Sequence, residues 1–153
     1  MQKILLQGFF LLFCSIQPVI AQTSETTAQD DIALIKDFIF DIADETQRPD
    51  LILSRHVLLE QTETDEEYDY LEASIEEIRI NLQPKNLNEI EYLPFQALSK
   101  RETRDIDPEG KPTDKMYFLR YRNRQMLAIY IAQNKIASFT LVSKGNKAHF
   151  VTY

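Results

Sequence analysis

His56 and His149 are the only imidazoles in this 153-residue chain, and Cys14 is its single thiol. An imidazole can move a proton or hold a metal, but either task needs a partner at a readable spacing. Neither histidine has an assignable carboxylate partner, and no second His or Cys lies near either one in sequence. The tightest motif match is Asp105-Ile106-Asp107-Pro108-Glu109-Gly110, which imitates the first half of a helix-loop-helix calcium loop. Its twelfth position is Met116 instead of a bidentate glutamate, and Pro108 stiffens it, so the segment reads as a turn-rich connection. No G-x-S-x-G elbow is present, and three glycines leave no phosphate-cradling loop. With 24 acidic residues, some pair of carboxylates always converges, so a hydrolytic carboxylate pair carries no information here. No metal and no cofactor is expected.

The elements that would position any site are clearest at the C-terminus. Met116–Arg122, Gln125–Asn134, Lys135–Ser143 and Lys147–Tyr153 are rich in Tyr, Phe, Ile, Leu and Val, which is strand composition. Asn123-Arg124, Asn134-Lys135 and Gly145-Asn146 between them suit two-residue hairpin loops. That register places Tyr117, Leu119, Tyr121, Met126, Ala128, Tyr130, Phe139 and Phe150 on one face. The other face takes Phe118, Arg120, Arg122, Leu127, Ile129, Ile131 and His149. A one-residue slip would exchange the two sets. Both faces are apolar, whereas a sheet with one wet side alternates apolar with polar. Helices of the chain can cover one face, and the second then calls for more chain, a ligand or a second subunit.

Upstream, the pattern turns helical. Ile32, Ile35, Ile39 and Ile42 form a helical stripe that starts near Thr27–Asp31 and ends at Arg48-Pro49. A short second helix spans Asp50–Leu59. A third opens on a Thr64/Glu67 capping box, runs along Tyr68, Leu71, Ile75, Ile78 and Leu82, and stops at Pro84. Glu89–Arg104 reads as a first long strand, at an edge or with a bulge because of Pro94. The fold class is therefore α+β, with N-terminal helices packed on an antiparallel meander of four to five strands.

Residues 1–21 read as a cleaved signal peptide: Lys3, the apolar run Ile4–Ile16, then Val19-Ile20-Ala21 before Gln22. Residues 22–29 read as a polar leader, and residues 30–153 as one domain. Export, to a periplasmic or extracellular location, goes with a mature chain that has no cysteine and no disulfide. No second apolar run reaches spanning length, so no membrane span is expected after cleavage. Residues 25–91 hold 19 acidic and 5 basic side chains, and residues 92–153 hold 5 acidic and 11 basic. A chain of net charge −7 is a poor match for nucleic acid.

The helix, short helix, long helix and sheet order over residues 30–153 resembles the nuclear-transport-factor-two-like (SnoaL-like, cystatin-like) superfamily. Lys135-Ile136-Ala137-Ser138-Phe139 and Lys144-Gly145-Asn146-Lys147 also look like the closing hairpins of small exported bacterial domains. The resemblance implies a curved, cone-like roll with a pocket, and dimerisation through the outer sheet face. Some members are isomerases or dehydratases with an Asp–His pair, and many only bind. From the sheet apolar on both sides, the chain is expected to be a non-catalytic binding domain for a small apolar or amphipathic ligand, or for a protein partner. The ligand set would be Tyr117, Tyr121, Tyr130 and Phe139. The interface set, serving a homodimer, would be Phe118, Arg120, Arg122, Leu127, Ile129, Ile131 and His149. A hydratase- or isomerase-type pocket enzyme and a structural homodimer without ligand are the alternatives.

Overall fold

The computed structural model describes residues 20–60 and 64–153, with side chains from residue 27 onward. The expected signal peptide, residues 1–21, lies outside the described residues except for its last two. Helix α1 spans Ile20–Ala43. It begins upstream of the start expected at Thr27–Asp31, so residues 22–29 fall within it; no Gly or Pro interrupts residues 19–47. Ile35, Phe38, Ile39 and Ile42 are fully buried, as their helical spacing requires. The helix ends short of Arg48-Pro49 because Asp44 Oδ1 accepts from the Thr46 N–H at 2.9 Å and from its hydroxyl at 2.7 Å. That side-chain turn competes with the helical ladder.

Helix α2 is Pro49–His56, with proline at its first turn. Helix α3, Asp65–Leu82, carries the expected reciprocal capping box between Thr64 and Glu67. We expect Thr64→Ala to cost about 1 kcal/mol in urea unfolding; no change in the midpoint would mean the cap adds nothing to α3. The buried Arg79 on α3 donates through Nε to the Ile42 carbonyl and through Nη2 to the Gln47 carbonyl, both at 2.7 Å. It thereby satisfies a carbonyl in the last turn of α1 and pins the two helix ends together.

Strands β1 (Ile90–Pro94), β2 (Met116–Tyr121), β3 (Arg124–Ala132) and β4 (Lys135–Ser138) form a four-stranded antiparallel sheet in that order. Strands β5 (Leu141–Lys144) and β6 (Lys147–Phe150) form a separate pair. The first strand is much shorter than the expected Glu89–Arg104. Pro94 ends it at the sheet edge, and a Ser99/Glu102 capping box starts the short helix α4, Lys100–Thr103. The expected run Lys135–Ser143 breaks into β4 and β5. There the buried Ser138 hydroxyl donates to the Thr140 carbonyl at 3.0 Å and accepts from the Thr140 N–H at 3.2 Å, replacing ladder bonds.

Register is where expectation and structure part. The Gly145-Asn146 loop is as expected, with Lys144 opposite Lys147. The other two loops are Arg122-Asn123 and Gln133-Asn134, one residue earlier than expected, with all four residues at positive φ. Two successive positive φ values match the twist of the flanking strands. Moving a loop by one residue shifts pairing by two and preserves the faces. A bulge then exchanges them: Arg120 pairs Gln125 but Leu119 pairs Leu127, leaving Met126 as the extra residue. A second bulge lies at Ala137, since Ile131 pairs Ile136 but Tyr130 pairs Ser138.

The face sets are corrected accordingly. Tyr117, Leu119, Ile129, Ile131, Ile136 and Phe139 meet α1, α2 and α3 in one core. Met116, Phe118, Ala128, Tyr130, Ala137 and Phe150 form a second cluster behind the sheet. Phe95, Leu98, Ile106 and Leu58 pack on that second cluster, with Phe118 6.2 Å from the Phe95 ring and 6.1 Å from the Phe150 ring. The second face is thus covered from within the chain.

Candidate functional site

The β2–β3 bulge turns Met126 and Leu127 together toward the helices, and both pack against the helix-side core. Opposite them stands the C-terminal half of α3, with Ile78, Asn81 and, just past Pro84, Lys85. Ile39 and Leu82 form the floor. The space enclosed is about 740 Å³, within the range of small-molecule sites. A second depression of about 360 Å³ shares Ile78, Asn81 and Gln125–Leu127 with it and continues along α3 to Tyr70 and Phe139.

Charge in the larger cavity is one-sided. Lys85, Arg122 and Arg124 line it, and among the described residues no Asp, Glu, His, Ser, Thr or Cys does. The Lys85 ammonium lies 6.0 Å and the Arg122 guanidinium 5.0 Å from the centre of the Tyr121 ring, so that ring holds two cations at the rim. Lys85 also donates to the Asn81 carbonyl. Arg122 Nε is 3.7 Å from Glu89, a long contact with Arg122 mostly in water. The Arg124 side chain has no ion-pair or hydrogen-bond partner among the described residues. Such an arrangement holds an apolar body and balances a negative head; beside the Tyr121 phenol it supplies no aliphatic hydroxyl, thiol, carboxylate or imidazole.

Of the expected ligand set, Tyr121 lines this cavity and Phe139 the adjoining depression. Tyr117 is buried and donates to Asp31 Oδ2 at 2.8 Å, where Lys115 also binds the carboxylate, at 2.8 and 3.0 Å. Burial first, then that hydrogen bond, pushes the Tyr117 phenol well above its ordinary range. Tyr130 belongs to the cluster behind the sheet. The four are therefore not one constellation. Of the expected interface set, Leu127 and Arg122 line the cavity. Ile129 and Ile131 lie in the helix-side core, Phe118 is buried behind the sheet, and Arg120 is paired with Glu102.

Both histidines have the carboxylate partners that the sequence did not reveal. His56 Nε2 is 2.7 Å from Asp41 Oδ2, and the same oxygen accepts from Arg55 Nη1 at 2.6 Å. Burial acts to raise the Asp41 carboxyl, but the His56 and Arg55 hydrogen bonds outweigh it and hold the group below its ordinary value. This pair ties α2 to α1 and does not line the cavity. His149 Nδ1 is 2.9 Å from Glu109 Oε1 and makes no hydrogen bond. Burial pushes the Tyr92 phenol up to about 12, and its hydroxyl has no partner.

Among the described residues no group of three or more His, Cys, Asp or Glu could hold a metal ion, and no helix is long and apolar enough to cross a membrane. The cavity residues Ile78, Asn81, Lys85, Arg124 and Met126 carried no signal in sequence, because only the bulge brings them together. No protein-family model, curated protein or solved structure matches the chain.

Proposed function

We propose that the protein is an exported, non-catalytic binding domain for a small amphipathic molecule held between α3 and the β2–β3 hairpin. The observation that carries this reading is an apolar-floored cavity of about 740 Å³ with cations at its rim and, among the described residues, no Ser, Thr, Cys, Asp, Glu or His in its lining. Binding is supported by size and by a wall of Ile78, Met126 and Leu127. Catalysis is disfavoured because the one short His–carboxylate hydrogen bond, His56 with Asp41, is shared with Arg55 and lies outside the cavity. Export rests on Lys3, the Ile4–Ile16 run and Val19-Ile20-Ala21. We also read the element order as a cone-like roll of the nuclear-transport-factor-two-like kind, with this cavity at its open end.

Native mass spectrometry of protein isolated from its own compartment tests the reading. The expected spectrum shows a chain beginning at Gln22 with a small molecule retained. Asn81→Trp, on an exposed helix position in the cavity wall, should fill the space and remove that mass while Tm stays within about 3 °C. Retention of the same molecule by Asn81→Trp would place binding elsewhere.

A further inference from the structure

We infer that the ligand is a single-chain fatty acid, its carboxylate at Arg124 and Lys85 and its chain lying along Ile78, Met126 and Leu127 over Ile39 and Leu82. The assignment rests on the binding reading above and names the ligand class for that site. Three observations carry it. First, the chain is acidic overall, yet the cavity gathers three cations and no lining acid among the described residues. Glu89 offsets only Arg122, at 3.7 Å, and Arg124 is left without a partner, so the rim is poised for an added anion. A guanidinium fork matches a carboxylate by two parallel hydrogen bonds.

Second, the cations stand at one end only. Beyond Asn81 and Gln125 the wall is Ile78, Met126 and Leu127, which rewards a hydrocarbon and offers nothing to a second polar group. Third, the adjoining depression shares that wall but past Ile78 is lined also by Ser74, Glu77 and Thr140, so the apolar surface is confined to the cavity and an acyl chain belongs there. A compact anion would leave the apolar wall bare, and a neutral chain would leave Arg124 unpaired. A long-chain monocarboxylate satisfies both ends.

Isothermal titration of delipidated protein with laurate, dodecanol, dodecyltrimethylammonium and acetate tests the assignment. Laurate should bind at least about tenfold more tightly than dodecanol, with the cationic amphiphile weaker still and acetate undetectable. Arg124→Gln, at an exposed strand position that the fold does not need, should weaken laurate about 10- to 100-fold and leave dodecanol within about twofold. Equal binding of laurate and dodecanol, or no effect of Arg124→Gln on laurate, overturns the carboxylate head and leaves a cavity for apolar chains. Acetate binding as tightly as laurate overturns the role of the apolar wall. Failure of every amphiphile to bind overturns the binding reading itself.

Discussion

Ile129→Glu should lose about 4–5 kcal/mol or more of stability, most of what a marginal domain has. Ile129 is fully buried in the helix-side core, opposite Tyr117 across the β2–β3 ladder. A carboxylate there has neither water nor a cation to pair with. Such a substitution costs about 4–5 kcal/mol or more, against a total stability of about 5–15 kcal/mol for a domain. Val142→Glu is the control: Val142 lies on β5 and is 42% exposed, so its effect should stay within about 0.5 kcal/mol. Circular dichroism and urea titration of the two variants read the difference. An Ile129→Glu protein as stable as Val142→Glu would mean that this side chain faces outward, and the corrected register would be wrong.

Arg79→Met should cost about 3–5 kcal/mol, with a fall in Tm of about 10–20 °C by calorimetry. The loss does not come from the Glu76 contact, because Glu76 is nearly half exposed and such a pair is worth little. It comes from two carbonyls, Ile42 and Gln47, each left without its 2.7 Å donor where α1 ends against α3. Arg79→Lys should recover part of the stability, since one ammonium reaches one carbonyl but lacks the fork that reaches both. A Met variant within about 2 °C of the parent would show that water takes over both carbonyls.

Helices were legible in sequence because their signals are local. The Ile35–Ile42 stripe buries as a stripe must, and Thr64, Glu67 and Pro84 bound α3 as written, since a cap and a breaker act within one turn of chain. The β2 and β3 strands and the Gly145-Asn146 loop were also legible, whereas the first strand was read too long and Lys135–Ser143 as one strand. Helix α1 was less so, because the Asp44 side-chain turn that ends it competes with four more helix-compatible residues before Pro49.

What sequence by itself determined was the kind of the long helices and of the C-terminal strands, and an α+β order in which the sheet has two apolar faces. Which residue looks to which side was decided by tertiary structure alone. A single extra residue at Met126 exchanges the faces beyond it, and the extra residue is accommodated only because Ile129 and Ile131 then meet α1 and α3 while Phe118 and Tyr130 meet Phe95 and Phe150. Alternation along a strand carries no preference between two faces that are both apolar; the packing partners that break the tie lie tens of residues away. The same bulge builds the cavity wall, so the site was hidden for the reason the register was.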